Sequence, residues 1–290
     1  MEPSIPATPE LSPDPAEFFA QVEAAYGEAA HAGGVIERWF AVDGRRLRLC
    51  FAGPALIPAL TAALAHLAIA PPPGVDAGAQ AHLTLHIWDS ESTGTPRLVA
   101  PWTLAQVALR GEVSAFSNAR FLTAAQRDMP AMSILDTATD RGYFWIADPG
   151  HIFVFERAAP MKVVLHWWLR AQNLPMIHAA ALGTDAGAVL IVGKTGAGKS
   201  TTSLLCLEAG MKFIADDRCL LQLDSSPRAG DTEAADTTPH ALCIYNSAKL
   251  HVAQMHQFPA LRRHVVQTPR DAGVGAALGI EEKSLIFVAQ

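Results

Sequence analysis

Gly193, Gly198, Lys199 and Ser200 stand in the order G-x-x-x-x-G-K-[ST], a spacing that builds a cradle for phosphate oxygens. Glycines keep Cβ atoms out of such a loop, so backbone N–H groups can turn inward on an anion. A lysine at the Lys199 position reaches β- and γ-phosphates, and a hydroxyl at the Ser200 position ligates Mg²⁺. The apolar run GAVLIV enters the loop and KSTTSLLCLEAG leaves it, so strand, loop and helix N-terminus follow in the order that aims amides and the helix dipole at a phosphate. On this reading Gly193, Lys194, Thr195, Gly196, Ala197, Gly198, Lys199, Ser200 and Thr201 hold the phosphates of a nucleotide. The bland alternative is a glycine-rich strand-to-helix turn with no ligand, and the flanking strand and helix count against it.

Such a loop serves many nucleotide machines, and what surrounds it narrows the class. GAGKST resembles transporter ATPases, but these need a long helical insertion with an LSGGQ-type signature; only 90 residues follow Ser200 and none carries it. Lys194 stands where partitioning ATPases have a signature lysine, yet Thr195-Gly196 replaces their glycine pair. No N-K-x-D motif of a GTPase occurs. Phosphoryl transfer to a hydroxyl asks, beyond the cradle, for a metal-positioning carboxylate and a group that orients the attacking oxygen. Asp216-Asp217, at the end of the strand-like MKFIA, supplies two carboxylates 17 and 18 residues after Lys199. Adjacent residues leaving a strand diverge, so the two can face different groups. One of them capping a turn is the structural alternative. His178 lies 21 residues ahead of Lys199 in NLPMIHAAAL; taken alone, a histidine among apolar neighbours reads as a core residue.

The segment from His178 to Leu221, HAAALGTDAGAVLIVGKTGAGKSTTSLLCLEAGMKFIADDRCLL, resembles the catalytic core of the HPr kinase/phosphorylase family and its HPr-kinase-related relatives. A histidine heads a strand; an apolar strand, the glycine loop, a helix ending in glycine and a strand closing on two aspartates follow in the family's order and spacing. The resemblance implies an α/β fold, with a P-loop kinase core of the type shared with phosphoenolpyruvate carboxykinase. It also implies ATP and Mg²⁺ as cofactors and transfer of the γ-phosphoryl group to a serine hydroxyl. Carried over by position, Asp216 is the general base, Asp217 supports Mg²⁺ together with Ser200, and His178 orients the reacting groups, with Lys199 on the phosphates. Thr201 replaces the family's acidic residue, and the downstream glycine/arginine/asparagine signature tied to HPr handling is absent. HPr is therefore not the expected substrate. Standalone relatives that accompany peptide biosynthesis clusters are similar in size, which points to a serine of a peptide or protein as acceptor and, as in the relatives, to a homo-oligomer. A small-molecule kinase on the same core and a non-catalytic nucleotide-gated binding protein are the rival readings.

The elements that must position these residues follow from pattern. Asp14, Pro15 and the recurrence of Phe18, Phe19, Val22 and Tyr26 predict a capped helix from Pro15 to His31, closed by Gly33-Gly34. VIERWFAV and RRLRLCFA around Asp43-Gly44 predict a hairpin. Pro54 to Ala70 reads as a core helix, too short and too broken by Pro58 and His66 for a membrane span. HLTLHIWD, Met132 to Leu135, Gly142 to Ala147 and His151 to Phe155 read as strands, giving an α+β module with a largely antiparallel sheet over residues 15–157. Residues 158–290 then form the catalytic domain: PMKVVLHWWLRAQ as a helix, MIHAAAL, GAVLIVG and MKFIA as strands, CLLQL as the hairpin partner of MKFIA, and YNSAKL as a turn before a terminal strand SLIFVAQ. Residues 1–14 read as a mobile proline-rich leader, and Ser225 to Pro239 as a polar loop able to help select the acceptor. Lys249, Arg262, Arg263, Arg270 and Lys283 are the basic residues at hand for phosphate or peptide charge.

Composition sets the outer bounds. With 290 residues, half of them apolar, the chain can bury a core of one large or two modest domains. A net charge of −6 gives no global reason to bind nucleic acid or an anionic membrane. Cys50, Cys206, Cys219 and Cys243 form no C-x-x-C pair, so free thiols in a cytoplasmic protein are the expectation.

Overall fold

The computed structural model describes residues 14–74, 77–127, 129–223, 238–267 and 283–288. The proline-rich leader up to residue 13, most of the Ser225 to Pro239 segment and Arg270 lie outside them. The chain divides into two compact units, the second beginning at Phe153 and also taking in Leu60–Leu67. The cut thus falls between Ile152 and Phe153, where the sequence places it after residue 157.

In the first unit the Asp14 carboxylate accepts the N–H groups of Ala16 and Glu17 and starts α1 (Pro15–Gly33). Its apolar stripe of Phe18, Phe19, Val22, Tyr26 and Ala29 is buried. β1 (Val35–Val42) and β2 (Arg45–Ala52) form the expected hairpin. Asp43 and Gly44 take φ 47° and 72° between them, the positive pair a primed two-residue turn requires. β3 (Ala68–Ile69), β4 (Leu83–Asp89), β5 (Phe121–Ala125), β6 (Ala131–Asp136) and β7 (Arg141–Ile146) complete a seven-stranded sheet of order β3-β1-β2-β4-β7-β6-β5. Its two central pairings, β2 with β4 and β4 with β7, are parallel, whereas the flanking ones are antiparallel. The sheet is therefore mixed, with four of its six pairings antiparallel as the hairpin signals suggested and the two central ones parallel. Long connections from β2 to β4 and from β4 to β7 permit the crossovers that parallel pairs need. α1 covers one face, packing on Cys50, Ala52, Trp88, Ile134, Tyr143 and Trp145.

Two expected elements change type. Pro54 to Ala70 is α2 (Ile57–Thr61), a 3₁₀ segment Ala62–Leu67 and then β3, because Ala68 and Ile69 pair with Phe40 and Trp39 at the sheet edge. Backbone pairing there overrides a run of good helix formers. After α3 (Ser90–Thr93), the stretch read as a strand from His151 to Phe155 is a 3₁₀ turn Pro149–His151, begun by the Asp148 carboxylate, followed by α4 (Val154–Ala158).

In the second unit α5 (Lys162–Ala171) buries Val164, Leu165, Trp168 and Leu169. β8 (Met176–Ile177), β9 (Ala179–Thr184), β10 (Gly187–Val192), α6 (Lys199–Glu208), β11 (Lys212–Ala215) and β12 (Cys219–Gln222) follow. β13 (His240–Cys243), β14 (Ser247–His251), β15 (Val265–Gln267) and β16 (Lys283–Phe287) complete the described strands. They form three antiparallel sheets, β10-β9-β11, β13-β12-β8 and β14-β16-β15. CLLQL is thus not the hairpin partner of MKFIA: it leaves that sheet and pairs with β8 and β13. Ser247 to Leu250 of YNSAKL, read as a turn, is strand. Its alternation puts Ala248 and Leu250 into a core with Leu204 of α6, Phe213, Phe258 and Ile286. β10 lies at the end of its sheet with Val189 and Val192 exposed, although its composition reads as a buried strand. Among the described residues no helix is long and apolar enough to cross a membrane.

Candidate functional site

The site grows out of two places where the chain changes sheet. At His178 it passes from β8 to β9, and at Asp216-Asp217-Arg218 it returns from β11 to β12. Because β8 pairs with β12 and β9 with β11, the two crossings lie side by side. His178 Nε2 stands 3.0 Å from Asp217 Oδ1 as a result. Residues far apart in sequence thus meet through strand pairing rather than local geometry.

β10 delivers the glycine loop. Gly196 and Gly198 hold φ 83° and 89° there, a region that side chains other than glycine rarely adopt. The ideal Cβ positions at both meet no atom within 4 Å, so their backbones face open space. Lys199 curls back, its ammonium donating to the carbonyls of Gly193 at 2.8 Å and Lys194 at 3.1 Å. This side chain is almost fully buried, and its partners are the carbonyls of the loop rather than a carboxylate. The first turn of α6 adds amides without helical partners, a setting that suits phosphate. Loop residues Gly193 to Ala197 are exposed. Thr201, which stands where the resembled kinases have an acidic residue, donates its hydroxyl to Gln254 Oε1 at 3.1 Å.

The two aspartates occupy different environments. Asp216 is 2% exposed. One of its oxygens accepts Ser203 Oγ at 3.1 Å; the other accepts Ser200 Oγ at 3.1 Å and the Lys249 N–H at 3.0 Å. Burial raises its pKa against the lowering effect of the Lys249 N–H, the Lys249 charge and the Ser200 hydroxyl. Asp217, with a side chain 28% exposed, meets Lys249 Nζ at 3.0 Å and Arg218 Nε at 3.9 Å as well as His178. Burial alone would raise its pKa, but Lys249, Arg218 and His178 together hold it well below the usual carboxylate range. His178, 40% exposed, is pushed downward by burial against the pull of Asp217. Lys162 at the start of α5 is lowered by burial and by the Arg218 charge, with Glu156, Lys249 and Asp217 close enough to act on it.

All three features singled out in the sequence therefore converge within the second unit. Ser200 joins the loop to Asp216, and Asp217 joins the pair to His178. The bland reading of His178 as a packed core residue does not describe a side chain this exposed on a carboxylate. Sequence reasoning did not single out Ser203 or Arg218, and it counted Lys249 as one of five basic residues. The signal for Lys249 was present: Ala248 and Leu250 alternate with it, so a strand would turn the lysine away from the core. Arg262 and Arg263 are exposed and Lys283 is half-buried.

Among the described residues no group of three His, Cys, Asp or Glu side chains forms a metal cluster. Mg²⁺ on a nucleotide does not need one, since it keeps waters and takes one or two carboxylates beside phosphate oxygens. The hydroxyl of Ser200 and the neighbouring carboxylates supply hard oxygen donors of the kind this ion prefers. No family model matches the chain, and no curated protein is similar to it.

Proposed function

We propose that the second unit is an ATP- and Mg²⁺-dependent kinase of the HPr-kinase-related kind, transferring the γ-phosphoryl group to a serine of a peptide or protein. The observation that carries this reading is the Ser200–Asp216 contact beside the Asp217–His178 contact. It links a phosphate loop, through one hydroxyl, to a carboxylate pair and a histidine, the set a hydroxyl-directed phosphoryl transfer uses. Lys199 would give up its loop carbonyls for phosphate oxygens, and Gly193 to Thr201 would wrap them with amides. Mg²⁺, when bound, neutralises charge on the phosphates and helps align them.

Geometry favours exchanging the two aspartate roles expected from position. Asp216 is sealed behind Ser200 and Ser203, out of reach of an incoming hydroxyl, and sits where a carboxylate joins the loop serine on the metal. His178 is exposed and Asp217 partly so, which leaves this pair within reach of an acceptor. Reach precedes basicity in choosing such a group. A loose transition state asks the carboxylate to orient the hydroxyl more than to strip it, so its low pKa is no obstacle.

The test is incubation with γ-labelled ATP and the peptides and proteins encoded beside the gene, read by mass spectrometry. Phosphate on a serine supports the proposal. Nucleotide binding with no transfer, or label found only on metabolites, returns one of the two rival readings.

A further inference from the structure

We propose that Lys249 is a phosphate-contacting residue that engages the terminal phosphoryl group of the nucleotide. The proposal rests on the kinase reading above and names a residue which that reading does not require.

Lys249 is tied to both carboxylates. Its N–H donates to Asp216 Oδ2, the oxygen that also accepts Ser200 Oγ, and its ammonium lies 3.0 Å from Asp217 Oδ2. The side chain is only 10% exposed, and its ammonium stands 5.2 Å from the centre of the Phe155 ring. Buried and fixed at both ends, it has little freedom left to lose on meeting a ligand. β14 sets the direction: Ala248 and Leu250 are held in the core behind it, so Lys249 faces the site.

Charge count supplies the second argument. A structural ion pair needs one cation, yet Asp217 carries Lys249 and Arg218 on the same oxygen; Lys162, close to both cations, has Glu156 as a further anion. Clustered cations repel one another, and in a partly desolvated site that repulsion is weakly screened. An added anion of charge −2 or more relieves it. The terminal phosphoryl of a nucleotide on the Lys199 loop is such an anion. Ser200 and Asp216 connect that loop to Lys249 through one shared carboxylate oxygen.

The experiment measures ATP and ADP affinity of the full chain by displacement of a fluorescent nucleotide in the presence of Mg²⁺. Variants Lys249→Met and Lys249→Arg are compared with wild type. Loss of a charge-assisted hydrogen bond to the terminal phosphate weakens ATP binding by about 10- to 100-fold, with ADP affinity changing less than about threefold and Lys249→Arg, which keeps the charge in a different shape, recovering part of the loss. If Lys249→Met does not fold, the same ratio is read from Lys249→Gln, which can still hydrogen-bond Asp217. An unchanged ATP-to-ADP ratio in a folded variant overturns the proposal and leaves the kinase reading standing. Failure of the wild type to bind ATP overturns both.

Discussion

The two units organise their buried groups differently. The first places Phe18, Phe19, Tyr26, Trp88, Tyr143 and Trp145 between one long helix and a continuous seven-stranded sheet, with Phe18 edge-on to Trp102 and Phe116 at 5.6 and 5.3 Å. The second divides its strands among three small sheets and buries Lys199, Ser203, Asp216 and Lys249 among them. Apolar burial rewards continuity, because each added strand extends one face. Buried charge gathers where strands end: Asp89 and Asp136 close β4 and β6 in the first unit, and in the second the polar groups meet where the chain leaves one sheet for another. A site of this kind therefore sits at the seams of its unit, and stability should come mainly from elsewhere.

The largest effect should be on transfer. Asp217→Asn is expected to lower phosphoryl transfer on the order of 10³-fold while leaving its Mg²⁺ requirement unchanged, whereas Asp216→Asn should raise the Mg²⁺ concentration needed. Titrating activity with Mg²⁺ in both variants decides it, and the reverse pattern would restore the roles assigned by sequence position. Next comes Phe18→Ala, which empties the aromatic cluster under α1 and should cost about 3–5 kcal/mol in chemical denaturation. At temperatures where that variant is folded, its nucleotide affinity should match wild type. A weakened affinity would mean that the contrast between a stability unit and a chemistry unit is wrong.

His86 offers a pH test of the first unit. Its ring stacks on Tyr143 at 4.9 Å and meets Tyr26 edge-on, and burial lowers its pKa to about 4, with the Arg141 and Arg48 charges adding and the Gly142 carbonyl and Glu23 opposing. The unfolded chain therefore binds more protons between about pH 6.5 and 4. The stability contributed is complete above that window and is lost as pH falls through it, by about 3 kcal/mol at most. Denaturation midpoints of wild type and His86→Phe should converge in slope above pH 7 and diverge below 6; parallel profiles would remove the histidine from the account. The smallest effect belongs to Asp14→Ala, which loses the N-cap of α1 and about 1 kcal/mol, measured as a shift in the same midpoint.

Local chemistry was legible in the sequence and long-range pairing was not. Asp14 and Pro15 start α1, Asp43-Gly44 forms the hairpin turn, and Gly196 and Gly198 of the loop adopt positive φ, because each depends on a residue and its near neighbours. The apolar stretch before β3 was misread because edge pairing with β1, a distant strand, overrode helix propensity. CLLQL was misassigned for the same reason, its partners being β8 and β13. The sequence by itself determined that a glycine loop of G-x-x-x-x-G-K-[ST] spacing stands between a strand and a helix, and that a histidine and two aspartates flank it at fixed spacings. Only the tertiary structure decided that the histidine meets the second aspartate, that the first is sealed behind Ser200 and Ser203, and that Lys249 spans the pair. The physical reason is that strand register, set by pairing across many intervening residues, chooses which side chains share a seam.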